Sequence, residues 1–447
     1  MNRSMQACLL LAAMVSGFPA HARAADPATI CRARSASVLE ALRGGRYAEA
    51  AEHFDARMAA ALPASKLGEV WGTMLPAKVG AFASSGSPNV TTTEDMPVVQ
   101  TPLHFAQGAL LMRVACHPDG SIGGLFFAPL PAETDATPAT APPRGIHEVA
   151  IAVPSPPGKL PGMLTLPAGK GPFPAAVLVA GSGPNDMDET IGPNKPLRDI
   201  ALGLAEAGIA TLRYDKRTRV YAAQLAGEPI TVDQEVTDDA LAALGVLHSQ
   251  PQVDRSRVFV LGHSLGALMA PRIARRDGQL AGAVLLAAPE RMNLDLVIRQ
   301  MRYVASLGGD YAAAGKKIPA VEAARDRLAA TDPEHPPQGL LFHAPASYWL
   351  SLRDYDAIDT ARALHTPLLV LQGLADYQVA PASEFARWKQ AFHGSERVSL
   401  RGYPGLGHLF MPAGKPPSPA DYGRAGHVDP AVIRDIAAWI KARPPVR

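Results

Sequence analysis

The chain has 447 residues, 47% hydrophobic, 19% charged and 6% aromatic, enough for two or three domains with sizeable cores. Lys plus Arg number 43 against 41 Asp plus Glu, a formal charge of +2. That balance gives no electrostatic footprint for nucleic acid, and Gly 39 with Pro 42 stays short of a disordered composition. A coiled coil and a polytopic membrane protein are excluded on the same grounds.

The first two dozen residues have the pattern of a secretory signal: Arg3, then an apolar run from Ala7 to Phe18, then Ala22-Arg23-Ala24. Cleavage is expected after Ala24, and the run is well short of the ~20 residues a span needs. The expected address is periplasmic or extracellular, with no membrane segment left after cleavage. Cys31 and Cys116 are then the two cysteines of the mature chain. In an oxidising compartment they pair or stay as two buried thiols; the sequence leaves both open.

Residues 25–131 read as a small α+β domain. Helical spacing runs over Ser35 to Arg43 and Tyr47 to Ala61, broken at Gly44-Gly45, and strands are expected at Val98 to Gln100, Ala109 to Cys116 and Ile122 to Phe127. Residues 132–145, rich in Ala, Thr and Pro, read as a linker. From 146 the pattern changes. Strands are expected at Glu148 to Val153, Leu160 to Leu166, Ala175 to Val179, Ala210 to Arg213, Val258 to Leu261, Ala283 to Ala287, Pro367 to Leu371 and Val398 to Leu400. Helices are expected at Leu197 to Ala207, Val232 to His248, Leu265 to Arg275 and Ala431 to Ala442. Apolar strands alternating with amphipathic helices predict an α/β fold with a mostly parallel sheet covered on both faces. The polar, aromatic-bearing stretch at about 290–364 interrupts the alternation and reads as a helical lid.

Gly262-His263-Ser264-Leu265-Gly266 is the chain's one G-x-S-x-G. An apolar strand enters it and a helix leaves it, the strand–turn–helix that a nucleophile elbow needs. A serine hydroxyl requires an oriented base, and in this architecture acid and histidine follow in chain order. Asp376 sits in the loop after the strand Thr366 to Gln372, and His408 in the loop after Arg397 to Arg401. Among the 13 histidines, His427 is the runner-up; Asp356 and Asp359 compete with Asp376. The oxyanion donors expected are the backbone N–H of Leu265, at a positive helix end, and that of Ser182 or Gly181 in the glycine-rich loop Ala180-Gly181-Ser182-Gly183. Tyr303, Tyr348, Trp349 and Tyr355 either line a substrate pocket or pack the lid. No HExxH, CxxC or other metal spacing occurs, so neither metal nor cofactor is expected.

These residues resemble the α/β-hydrolase superfamily from about Ile146 to the C-terminus. Gly181 to Asp186, Glu189 to Pro196 and Arg213-Tyr214-Asp215-Lys216-Arg217 look like bacterial esterases of the dienelactone-hydrolase and prolyl-oligopeptidase-like branch. Gly45 to Phe54, Leu67 to Trp71 and Gly123 to Phe127 are similar to an uncharacterised α+β domain often fused ahead of such hydrolases. The chain departs from that branch at Ala180-Gly181, where His-Gly is usual. The resemblance implies hydrolysis of short acyl esters, a small-molecule substrate and no nucleic-acid partner. Two other readings stay open. One is an exopeptidase or thioesterase on the same residues, with Asp186, Asp188 and Glu189 as candidate amine holders unless they pair with Lys195 and Lys216. The other is a binding function in the N-terminal domain. Nothing in the sequence fixes an oligomeric state.

Overall fold

The computed structural model describes residues 26–93, 96–129, 142–222, 224–225, 228–337, 340–342 and 344–446. The signal segment and most of the linker lie outside them. The chain divides into two compact units, Met1–Thr137 and Pro138–Arg447.

The N-terminal unit packs the helix Pro27–Arg43 and shorter helical segments against an antiparallel sheet. Its strands are β1 (Phe82–Ser85), β2 (Asn89–Thr93), β3 (Met96–Phe105), β4 (Gly108–Cys116) and β5 (Ile122–Pro129), with β1 and β2 both pairing β3. The first two, rich in Ser and Thr, carry no apolar run and escaped the sequence reading. The single helix expected over Tyr47 to Ala61 is two, Tyr47–Ala50 and Ala56–Ala61. Phe54 leaves the helical path to bridge Ile122, and Asp55 caps the second helix by accepting the Met58 N–H at 2.6 Å. Trp71 sits among Phe82, Phe105 and Phe127, at 5.6, 6.0 and 5.7 Å between rings, so these aromatics are core. A disulfide joins Cys31 to Cys116, tying the first helix to β4.

In the second unit, β6 (His147–Ser155) and β7 (Gly158–Leu166) form a hairpin, and β7 runs antiparallel to β9 (Ala210–Tyr214). The rest of the sheet is parallel: β8 (Phe173–Val179), β10 (Val253–His263) and β11 (Gly282–Leu286), then, beyond a short lid pair β12 (Leu340–Leu341) and β13 (Ala344–Pro345), β14 (Leu368–Gly373) and β15 (Val398–Tyr403). The spatial order is β15-β14-β11-β10-β8-β9-β7-β6. Successive side chains of β10 serve opposite faces. Val258 and Val260 pack with Leu244 and Leu268, whereas Phe259 and Leu261 pack with Leu204 and Ile436. Burying each such side chain contributes about 1.5–3 kcal/mol, which fixes the register. The chain steps from β8 out to β9 and then back across β8 to β10. The loops leaving β8 and β10 therefore diverge to opposite faces and open a crevice at their carboxyl ends.

Between β11 and β14 the lid has its own core: Leu294, Ile298, Val321, Ala324, Leu328, Ala346 and Trp349. Its helices are Leu294–Ser306, Ile318–Ala329 and Ala346–Arg353.

The disulfide closes a sequence separation of 85. In the chain-entropy account that constrains the unfolded state by roughly 4–5 kcal/mol. A Cys31→Ser/Cys116→Ser variant is expected to lower the calorimetric unfolding temperature of the N-terminal unit by about 10 °C or more. An unchanged transition would show that the crosslink contributes nothing.

Candidate active site

Ser264 follows β10 with φ 53° and ψ −112°, a left-handed conformation that a non-glycine residue adopts only when its surroundings enforce it. Its N–H donates to Leu286 O at 2.9 Å, and the helix Leu265–Asp277 begins at the next residue. The enforcement is steric. A Cβ on Gly262 would lie 2.1 Å from Gly266 O, and one on Gly266 would lie 2.2 Å from Val179 O. Backbone replaces side chain on both flanks, and β8 approaches as closely as β10 allows. Leu265 opens its helix, so its N–H has no carbonyl one turn back to bond.

His408 and Asp376 lie in the loops after β15 and β14, both buried. His408 Nδ1 and Asp376 Oδ2 are 2.7 Å apart. The same carboxylate oxygen accepts Gln372 Nε2 at 3.0 Å, and Oδ1 accepts the N–H groups of Gln378 and Val379 at 2.8 and 3.0 Å. Four donors thus hold one carboxylate in place. Gln372 was not singled out from sequence, although a lone polar residue ending the apolar run Leu368 to Leu371, four before Asp376, carries that signal. The competitors are occupied elsewhere. Asp356 caps the helix Ala357–Arg362 and pairs with Arg291, Asp359 pairs with Arg362, and the exposed His427 faces Asp199.

His263, beside Ser264, is buried with Nδ1 2.9 Å from Glu189 Oε1 and Nε2 3.0 Å from His408 O. It therefore ties the elbow to the His408 loop, with the two imidazole rings 4.7 Å apart. Burial pulls its pKa down, but the Glu189 carboxylate and the hydrogen bonds outweigh that and hold it above the usual histidine range.

In the loop after β8, Gly181 N–H donates to Glu189 Oε1 at 2.7 Å. That donor is spent, which corrects the expectation that Gly181 is an alternative to Ser182. Of the three acidic candidates for amine holding, Asp186 accepts the Thr190 N–H at 2.8 Å, and the other two are committed to charged or buried partners. Asp188 pairs with Arg213 at 2.8 Å and Lys195 at 3.2 Å, while Glu189 is engaged as above. Lys216 pairs with Glu235 rather than with this acidic group, at 2.8 Å. Of the four lid aromatics, Tyr303 alone lines the cavity of about 280 Å³ bordered by Asp376, Tyr377 and Gln378, stacked on Tyr377 at 5.3 Å. The others pack. Trp349 belongs to the lid core, and burial beside Glu235 pushes the Tyr348 hydroxyl well up in pKa. Tyr355 donates to Leu268 O at 3.0 Å under the Arg272 guanidinium, and burial pushes its pKa up to about 12.

Among the described residues no group of three or more potential metal ligands occurs, and no helix is long and apolar enough to cross a membrane.

A mostly parallel eight-stranded sheet that presents a strained serine at the elbow after its central strand defines an α/β-hydrolase. A family profile described as serine aminopeptidase, S33, matches residues 195–412, and one described as a protein of unknown function (DUF3887) matches residues 35–125. Esterase EstD of Thermotoga maritima is 36% identical over 381 residues, covering 85% of this chain and 88% of its own. Among solved structures, Est1E from Butyrivibrio proteoclasticus is 16% identical over 65% of this chain and 96% of its own, TM-score 0.40. Dienelactone hydrolase from Anabaena variabilis is 17% identical over 68% of this chain and 100% of its own, TM-score 0.40. The chain belongs to the α/β-hydrolase family that contains the Thermotoga esterase, and it is a carboxylesterase-like serine hydrolase.

Burial pushes the Asp188 carboxyl up, but Arg213 and Lys195 hold it below its ordinary value of 3.8. A lowered folded-state pKa stabilises fully above 3.8, and that contribution is lost as pH falls through the folded value. Asp188→Asn is therefore expected to unfold at lower temperature than the parent at pH 7. The gap should close as the medium is acidified below 3.8; a gap independent of pH would contradict this.

Proposed function

We propose that this protein is a secreted carboxylesterase that cleaves short acyl esters through Ser264, His408 and Asp376. The observation that carries the reading is the buried His408 Nδ1–Asp376 Oδ2 hydrogen bond at 2.7 Å, in a loop tied by His263 to the elbow of Ser264. Asp376 accepting at Nδ1 sets the tautomer in which Nε2 is the base. Ser264 Oγ bonds to the substrate carbonyl carbon as its proton passes to Nε2. The carbonyl π electrons move onto oxygen, where the N–H groups of Leu265 and Ser182 receive the charge. Collapse expels the alcohol, which takes the proton from His408, and water repeats the cycle on the acyl-enzyme.

Ester rather than peptide cleavage is favoured because two of the three groups an exopeptidase would aim at a free amine, Asp188 and Glu189, are committed to Arg213, Lys195, Gly181 and His263, leaving Asp186 alone. The name of the 36% identical Thermotoga relative supports the same choice. The Cys31–Cys116 disulfide supports an oxidising destination, consistent with the leader-like N-terminus.

Wild-type protein is expected to be labelled by a fluorophosphonate at Ser264 and to turn over p-nitrophenyl acetate or butyrate. It should leave an aminoacyl p-nitroanilide essentially intact. Ser264→Ala should abolish labelling, and Ser264→Ala, His408→Ala and Asp376→Asn should each lower kcat by roughly 10⁴-fold. Unimpaired turnover by folded Ser264→Ala would overturn the mechanism. N-terminal sequencing of the exported protein is expected to begin at Ala25.

A further inference from the structure

Lys216 belongs to the segment Arg213-Tyr214-Asp215-Lys216-Arg217, and the hydrolytic steps above leave it without a role. It is buried, paired with Glu235 Oε1 at 2.8 Å, and its Nζ donates to Gly181 O at 2.9 Å. Asn185 Nδ2 donates to the same carbonyl at 3.1 Å, and the Lys216 N–H donates to Asn185 O at 3.1 Å. The carbonyl of Gly181 and the N–H of Ser182 are the two ends of one peptide unit. That unit is trans, so the two groups point in opposite directions. Whatever fixes the carbonyl of Gly181 fixes the direction of the Ser182 N–H.

The preceding peptide is held from the other side. Gly181 N–H donates to Glu189 Oε1 at 2.7 Å, and that oxygen also faces His263 Nδ1 at 2.9 Å. The other ring nitrogen of His263 meets a backbone carbonyl, so both ring positions face acceptors, and the Glu189 carboxylate raises the ring's pKa. Glu189 is itself at φ +53°, a conformation costing about 1–2 kcal/mol that a non-glycine residue keeps only under constraint. Gly181 has no room for a side chain. A Cβ there would lie 2.8 Å from Glu189 Oε1 and 3.2 Å from Ser264 Cβ. One glycine thus lies against Ser264 with its N–H on a buried anion and its C=O on a buried cation.

We propose that Lys216 is a positioning residue for the oxyanion site. By bonding Gly181 O it aims the Ser182 N–H at the developing negative charge and, by drawing electron density toward the carbonyl, makes that N–H a stronger donor. The Glu235 partner holds Lys216 in the buried setting where this polarisation is least screened by water. The proposal rests on the assignment of Ser264 as nucleophile and Ser182 as oxyanion donor. It concerns a group that touches neither the substrate nor the reacting atoms.

The test is steady-state kinetics on p-nitrophenyl butyrate with Lys216→Met, together with inhibition by an alkyl trifluoromethyl ketone, which becomes a tetrahedral oxyanion on the enzyme. Losing an oxyanion donor outright typically costs 10²–10³-fold, and a misdirected one costs less. The expected result is a kcat about 10–100-fold lower with KM within about twofold of the parent. Affinity for the ketone should fall by the same factor as kcat/KM. Lys216→Gln, which keeps a shorter neutral donor, is expected to lie between the two and serves if the Met variant does not fold. A folded variant with parental kcat and parental ketone affinity overturns the proposal. So does a variant whose KM alone rises, because that is loss of ground-state binding. Ser264→Ala runs alongside: if it retains turnover, the underlying catalytic assignment has failed; if it is dead while the Lys216 variants match the parent, only the role of Lys216 has failed.

Discussion

The site depends on a backbone-to-backbone contact. Gly266 brings the turn after β10 against the backbone of β8 at Val179, and Gly262 brings the incoming strand against the start of the outgoing helix at Gly266, so no Cβ fits on either flank. Two consequences follow. Ser264 is forced into its left-handed conformation and projected from the end of the sheet, and the loop that begins at Ala180 is brought against it. Strand packing supplies the force. The strands on either side are buried on both faces, so relaxing the turn would shift hydrophobic side chains on two opposite cores.

Charge organises what the contact brings together. Around Ser264 the structure buries Glu189 with His263, Lys216 with Glu235 and Asp376 with His408. Of these, Lys216 with Glu235 is a buried ion pair, weak evidence of stability because desolvation cancels much of the attraction. The geometric effect of the three pairs is clearer. Each joins a loop at the sheet's carboxyl edge to a different element: Glu189 to the end of β10, Lys216 to the helix Asp233–Thr237, and Asp376 to the loop after β15.

Much of this was legible in the sequence. Ser264 and Asp376 each follow a short apolar run and His408 an alternating strand, and the alternation of strands and helices places all three loops at the same sheet edge. The partners of these residues were not legible. Glu189, Lys216, Glu235 and Gln372 look like ordinary polar residues until the fold brings Glu189 beside His263, 74 positions later in the chain. In the acidic stretch Asp186 to Glu189, left open between amine holding and pairing, Asp188 does pair with Lys195, but Lys216 pairs with Glu235 instead, since pairing follows the tertiary path and not proximity in sequence. In the N-terminal unit the helix expected over Tyr47 to Ala61 fails at Phe54, because a bridge to Ile122 outweighs local propensity. The lid aromatics show the limit most plainly. Tyr303 borders a cavity and Tyr355 donates to Leu268 O of the elbow helix, yet both stand in the same polar, aromatic-bearing stretch of sequence.

The separate hydrophobic centre of the lid has an evolutionary corollary. The apolar residues of its first two helices pack with Ala346 and Trp349, whereas Leu352, Tyr355 and Ile358, nearer its end, join a sheet-face core. Substitutions in the helix Leu294–Ser306, whose Leu296, Arg299, Gln300 and Tyr303 line the cavity, therefore reshape what reaches it with little disturbance of the scaffold that carries the chemistry. Selectivity and hydrolytic competence can drift independently in such an arrangement.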